Sequence, residues 1–432
     1  MTPGSIRGSI RAARASGGRG PLRWRLVPVL DATPCRGADP DRASDAPEAV
    51  GALPTLLLPE SDGTLEWDST TLVVVHAEAG GERGFGYTYA HAAAAAVIDD
   101  PLRDLVEGQD AFALPAIWEA LGRRARNIGR PGIAATAISA IDTALWDLKA
   151  RLLELPLCTL LGAARDAVPI YGSGGFTSYS IARLEEQLGG WAAEGIPRVK
   201  MKVGREPADD LERVEAARRA IDSAELFVDA NGAYAPKQAL SFAELFAEHG
   251  VSWFEEPVSS ADLEGLRLVR ERAPAGMEIA AGEYAYVPAD FRNLIGAVDC
   301  LQADATRCLG ITGFLRAAAF ADVHGLDLSA HTAPSLHLHA CLAIPRLRHL
   351  EWFHDHVRIE RMLFDGFVEP VAGELRPELS RPGHGLELRV RRLRVLRSER
   401  RASGRPRLPD GGCQRSCGVR GTASLGTRRG CV

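Results

Sequence analysis

Lys200, Lys202, Asp229, Glu255, Glu283, Asp304, His331 and Glu351 are acids and bases that, from Lys202 onward, recur every 20 to 28 residues. Each ends a strand-like run. Within a strand, residues two apart face the same side, so Lys200 and Lys202 point together while Met201 points away. Two ammonium groups held close disfavour each other's charge, which would lower the pKa of one lysine toward neutrality and make it a usable base. A lone Lys-Xaa-Lys is as often two lysines on a solvated strand edge; the rest of the chain decides.

Asp229 and Asn231 share a face, Glu255 precedes the stop at Pro257, and Glu283 ends the following run. Taken singly each acid reads as a surface ion pair. Three in register would repel one another unless a divalent cation neutralised them, and oxygen-only donors select magnesium rather than zinc. Glu255 and Glu256 are neighbours and should face opposite ways, leaving one of them as ligand. Asp304 can orient His331 and raise its basicity, placing a His–Asp dyad across from the lysine pair. Glu351, if protonated, can donate to a substrate carboxylate oxygen. Ser173 in YGSGGFTSYS, Asn231, Arg307 and His354 in a polar HDH loop are weaker candidates for contacts to substrate hydroxyls.

That spacing is one strand–turn–helix step, and it requires a scaffold that returns to the same rim at each repeat. The runs VPIYG, RVKMKV, ELFVDAN, VSWFEEP, MEIAAGE, CLQAD, LDLSAH and RHLEW alternate with helical stretches such as DDLERVEAARRAIDS, which indicates a TIM-type α/β barrel. The alternative, an open doubly wound sheet, lacks a glycine-rich dinucleotide turn after its first strand. Ahead of the barrel, LPTLLLPE and TTLVVVHAEA with the turn-rich SDGTLEWDS between them and GGERGFGY after them read as a small antiparallel meander. Helical periodicity follows in AAAAVI, ALPAIWEALGRRARNIG and GIAATAISAIDTALWDLKARLL. The first 165 residues thus read as an α+β domain.

The chain has 432 residues, 46% hydrophobic and 25% charged, with a net charge of −5. These values describe a globular protein with ample core and no global pull toward nucleic acid or anionic membrane. No apolar run is long enough to span a bilayer. The eight cysteines show no paired zinc spacing, which suits a reducing, cytoplasmic setting. Residues 1–45 are expected to be largely without packed structure; the first 20 have the Arg/Ser/Gly composition of a transit peptide but not the apolar core of a secretory signal. Residues 391–432 read as a basic disordered tail. Without interleaved aromatics it is not expected to bind nucleic acid.

Two stretches carry a family resemblance. AISAIDTALWDLKARLLELPLCTLLG, Ala137 to Gly162, and LFVDANGAYAPKQALSFAELFAEHGVSWFEEP, Leu226 to Pro257, resemble the two signatures of the mandelate racemase/muconate lactonizing enzyme family of the enolase superfamily, with Phe254 where a smaller aliphatic residue is usual. The resemblance covers about residues 50 to 390. It implies an N-terminal α+β capping domain over residues 46–165, completed by about 353–390, and a (β/α)7β barrel over 166–352. It further implies Mg2+ on Asp229, Glu255 and Glu283, Lys202 as base with Lys200 as helper, the His331–Asp304 dyad of the mandelate racemase subgroup, and Glu351 near the substrate carboxylate. Arg307 stands where related racemases often carry lysine. In such a subgroup a proton is abstracted α to a carboxylate, giving an ene-diolate. Dehydration of an acid sugar to a 2-keto-3-deoxy acid is then the expected outcome. Racemisation or epimerisation of a 2-hydroxy acid, or a catalytically idle ligand-binding relative, are the alternatives. The expected partner is a small-molecule carboxylate, and a homo-oligomer is expected.

Overall fold

The structure, a computed structural model, describes residues 22–30, 53–54 and 59–389. The proposed basic tail and most of the N-terminal segment lie outside the described residues. Among the described residues no helix is long and apolar enough to cross a membrane.

The cap is a three-stranded antiparallel sheet, β1 (Arg23–Leu30), β2 (Leu72–Ala79) and β3 (Glu82–Tyr89), with β2 in the centre. Its two long helices are α1 (Leu114–Arg124) and α2 (Ile133–Leu152), with short ones at Ala93–Val97 and Leu157–Leu161. One expectation is corrected here. The third strand is not LPTLLLPE but RWRLVPVL, inside the segment expected to be without structure; its register with β2 shifts between Val27 and Leu30, where Pro28 removes a ladder donor. GGERGFGY, read as part of the meander, supplies residues 82–87 of β3. A Cβ on Gly84 would lie 2.1 Å from the Ala144 carbonyl oxygen, and one on Gly86 would lie 2.3 Å from that of Ala140. The glycines let α2 lie directly on the sheet. Its alanines are buried along nearly its whole length, because its other side meets the barrel.

Eight parallel strands close the barrel: β4 (Val168–Gly174), β5 (Arg198–Lys202), β6 (Glu225–Asp229), β7 (Val251–Glu255), β8 (Glu278–Ala281), β9 (Cys300–Ala303), β10 (Asp327–Ala330) and β11 (Leu347–Phe353). They pair in sequence order, and β11 pairs back with β4. Helices α3 (Ile181–Ala193), α4 (Asp210–Ala220), α5 (Pro236–Glu248), α6 (Leu263–Arg272), α7 (Pro288–Leu294), α8 (Gly310–Val323) and α9 (Pro334–Leu342) lie one between each pair, giving (β/α)7β. The interior is filled by Tyr171, Phe227, Trp253, Ala280 and Cys300, a packed floor rather than a pore. HDH is not a loop: His354 begins helix α10 (His354–Leu363).

Three devices fix cap to barrel. On the α2 side, Asp142 accepts hydrogen bonds from the Thr312 amide at 2.8 Å and hydroxyl at 2.7 Å, and Ser139 accepts one from Gly310 N at 2.9 Å. These satisfy amides at the start of α8 that have no partner within the helix. On the α10 side, Glu360 accepts from the hydroxyls of Tyr87 at 2.8 Å and Tyr89 at 3.3 Å. At the chain's return, buried Asp147 accepts from Phe85 N, His384 N and Arg151 Nε, at 2.7 to 2.8 Å.

Candidate active site

The closing residues of the strands place the functional side chains. Asp229 is in register with Lys202 on one neighbour and Glu255 on the other. Lys200 Nζ lies 2.6 Å from Glu255 Oε1, 2.9 Å from Glu351 Oε1 and 3.4 Å from Asp229 Oδ2. Lys202 Nζ lies 2.5 Å from Asp229 Oδ2. Across the mouth, His331 Nε2 meets Glu283 Oε2 at 2.5 Å and its Nδ1 meets Asp304 Oδ2 at 2.9 Å. Glu351 joins the two halves, since its second oxygen is 3.7 Å from His331 Nε2 and accepts from Thr332 N at 3.1 Å. Arg307 closes the far side, 3.5 Å from Asp304 and 3.8 Å from Glu283, over the Tyr284 ring. All these acids, both lysines and His331 are buried.

Nine of the twelve residues singled out from the sequence thus form one network. Ser173 is buried on the same rim, paired with Lys200 on one strand and Phe353 on the other. Asn231 lies just past Asp229, whose Oδ1 accepts from its amide at 2.8 Å. His354 stands apart, at the seam with the cap.

The electrostatics depart from the sequence reading at three points. The lysines do not depress each other: burial opposes their charge, but Glu255 and Glu351 hold Lys200, and Asp229 holds Lys202, above the ordinary lysine value. Carboxylates within a few ångströms outweigh one like charge. Glu351 is not protonated, since against burial the Lys200 ammonium brings its carboxyl down to about 2; here it accepts and does not donate. Glu256 does not face away. Its φ of 38° breaks the alternation of an extended strand, and its carboxyl, raised by burial and then by Glu283 and Asp229, belongs to the same group of charges. No sequence signal marks a left-handed glutamate. In the dyad Asp304 lies on His331 Nδ1, but it is not the main source of the ring's basicity. Burial works against the His331 charge, yet Glu283 and Glu351 raise it to about 9. In turn His331 holds Glu283 and Asp304 below the usual carboxylate range, against burial.

Among the described residues no three of these carboxylates converge at metal-ligand spacing; lysine and imidazole groups occupy their oxygens instead. The donor set nonetheless fits a hard divalent cation. Glu256 Oε1 is buried with no hydrogen-bond partner. Burial and Asp229 push Glu255 up to about 8. Surplus negative charge is therefore answered partly by protons, and a divalent cation would answer it instead. Thr332 and Ala333, at φ 49° and 39°, carry the turn that aims the Thr332 amide at Glu351; such strain concentrates at working sites.

Comparison with known proteins agrees with this geometry. Residues 60–162 match the family described as mandelate racemase/muconate lactonizing enzyme, N-terminal domain, and residues 183–392 match the enolase C-terminal domain-like family. A 3,6-anhydro-alpha-L-galactonate cycloisomerase of Streptomyces coelicolor is 34% identical over 79% of this chain and 95% of its own. The L-talarate/galactarate dehydratase of Salmonella typhimurium is 34% identical over 66% of this chain and 74% of its own; its crystal structure with Mg and L-lyxarohydroxamate superimposes with a TM-score of 0.75, covering 87% of this chain and 93% of that one at 29% identity. A mandelate racemase/muconate lactonizing enzyme-like protein from Rubrobacter xylanophilus is 52% identical, with a TM-score of 0.78 over 86% of this chain and 98% of that one. The chain belongs to the mandelate racemase/muconate lactonizing enzyme family of the enolase superfamily.

Proposed function

We propose that this chain is a magnesium-dependent lyase that removes the proton α to the carboxylate of an acid sugar and expels the β-oxygen, giving a 2-keto-3-deoxy acid. The observation that carries the reading is a buried lysine pair and a buried His331–Asp304 dyad on one barrel mouth, joined through Glu351. Asp229, Glu255 and Glu283 would hold the magnesium, which would supply Lewis-acid charge to the substrate carboxylate. Lys202 is the base at the α-carbon. Lys200 stabilises the ene-diolate charge. His331, as the imidazolium, gives its proton to the leaving β-oxygen. Asp304 holds the ring for that transfer, and Glu351 holds Lys200 and the Thr332 amide. Ser173, Asn231 and Arg307 line the rim for substrate oxygens.

A second reading is favoured by the cycloisomerase relative, whose named substrate carries its β-oxygen in a 3,6-anhydro ring. The same proton abstraction then opens an ether and no water is lost. Semicarbazide trapping of keto acid across open-chain and anhydro sugar acids separates the two. Keto acid is expected from sugar acids with Mg2+ and none after EDTA. Changing optical rotation without keto acid would establish racemisation instead.

A further inference from the structure

His337, on α9, is a buried histidine that the proposed mechanism leaves unused. Its ring joins two turns. Nδ1 lies 3.1 Å from the Ala333 carbonyl oxygen, and Nε2 lies 2.7 Å from the Ala305 amide nitrogen. A carbonyl can only accept and an amide can only donate, so Nδ1 carries the hydrogen and Nε2 is bare. The ring is therefore neutral, and burial lowers its pKa in the same sense, against the pull of Asp304. Protonation would set a second N–H against the Ala305 amide. With both nitrogens taken by the main chain, and Nε2 3.8 Å from Asp304 Oδ1, His337 has no proton to move and no hydrogen bond to a reacting group.

The two turns it joins are those that carry the dyad. Ala305 directly follows Asp304, and Ala333 is two residues past His331. In the first turn the Asp304 carbonyl accepts from Arg307 N at 2.9 Å and Cys308 N at 2.7 Å, and its carboxylate accepts from Thr306 N at 2.7 Å. The Ala305 amide is left to His337. The second turn is left-handed at Thr332 and Ala333, and such residues persist only where their surroundings over-determine them. Glu351 takes the Thr332 amide, His356 Nδ1 takes the Ala333 amide at 3.2 Å, and His337 takes the Ala333 carbonyl. Packing fixes both rings: His356 stacks on Tyr89 of the cap with centroids 3.5 Å apart, and Phe314 meets His337 edge-on at 5.2 Å.

Building on the proposed function, we propose that His337 is the positioning residue of the acid arm, a rigid neutral link that holds the turns after β9 and β10 in one register so that Asp304 stays on His331 Nδ1 and His331 Nε2 faces the leaving β-oxygen. The contacts form a closed ring. It runs from His331 Nδ1 to Asp304 Oδ2 at 2.9 Å, along the chain to Ala305, across to His337, on to Ala333 and back to His331. With the imidazole removed, the Ala305 amide loses its partner and the strained Ala333 has one hold fewer. A proton donor displaced by about 1 Å can cost on the order of a hundredfold in rate. Lys202, on β5, shares none of these contacts, so removal of the α-proton should be spared.

The test compares the full chain with Mg2+ to three variants. His337→Phe loses both hydrogen bonds and keeps a ring; His337→Asn can keep the Nδ1 bond and His337→Gln the Nε2 bond. Unchanged thermal melting certifies their fold. In His337→Phe the downfield proton resonance of the hydrogen bond from His331 Nδ1 to Asp304, assigned by its absence from His331→Asn, should shift or weaken. Its kcat for keto acid should fall about tenfold to a hundredfold with KM within about twofold. Exchange of the α-proton in deuterated water should stay within about twofold of the native rate. His337→Asn and His337→Gln should lie between. In a folded variant, an unchanged resonance, an unchanged kcat, or exchange that falls in step with kcat overturns the proposal. If His337→Phe does not fold, the other two variants decide by the same three readouts. A native chain that yields no keto acid removes the proposed function, and the resonance then judges the link by itself: its loss in His337→Phe supports the link and its persistence overturns it.

Discussion

His331 and Lys202 are the pair whose roles can be taken apart. His331 directly follows β10 and Lys202 ends β5, and the proposed mechanism gives them different protons. With His331→Asn in deuterated water, α-proton exchange should survive while keto-acid release drops by roughly a hundredfold or more; Lys202→Ala should abolish both. Exchange lost in the first variant and kept in the second would swap the two roles. The positions of these residues were legible in the sequence because strand alternation and the strand–helix repeat are strict local rules. Their charge states were not. The proton on each lysine depends on acids from three other strands, and the ionisation of Glu351 depends on where Lys200 comes to rest. Glu256 was misplaced for a related reason, since one left-handed residue at a strand end cancels the alternation from which its direction was read.

Gly84 and Gly86 act at the scale of the secondary-structure element, as the surface on which α2 lies. Gly86→Ala, with a Cβ 2.3 Å from the Ala140 carbonyl oxygen, should cost about 1–3 kcal/mol in urea unfolding through overpacking. Gly190→Ala, on the exposed side of α3 with nothing within 4 Å, should instead stabilise by about 0.5–1 kcal/mol. Equal effects from the two would refute the packing account. All eight barrel strands could be read from the sequence, because buried parallel strands make short apolar runs bounded by turns. The cap sheet could be read only in part, since TTLVVVHAEA holds β2 while β1 went unread. Its glycines look like turn formers until α2 is placed against them, and β1 is separated from β2 by more than forty residues of chain, so no local pattern announces their pairing. The helix at His354 was missed because its polar start carries a cap-facing seam, which composition alone reads as a loop.

At the scale of the molecule, cap and barrel are joined through acids whose protons matter. Burial pushes Asp142 and Glu360 each up to about 7. Between about pH 4 and pH 7 the folded chain keeps protons that the unfolded chain sheds, so their contribution is complete below about pH 4 and lost as pH rises through 7. Stability should therefore fall between about pH 4 and 7, with a slope of up to about 1.4 kcal/mol per unit for each group. Denaturant titrations of the Asp142→Asn, Glu360→Gln double variant should show a flatter slope; an unchanged one would place the linkage elsewhere. The Asp147 knot has a further consequence, in time rather than space. Its partners Phe85 and His384 are 299 residues apart in the chain. A nascent chain leaving the ribosome has made its cap helix long before the amide that completes Asp147 has been synthesised. The N-terminal domain cannot finish folding first and wait. Closure over the catalytic mouth becomes a late event of translation, and a product truncated ahead of residue 384 would expose an unfinished cap to chaperones and proteases rather than a working enzyme.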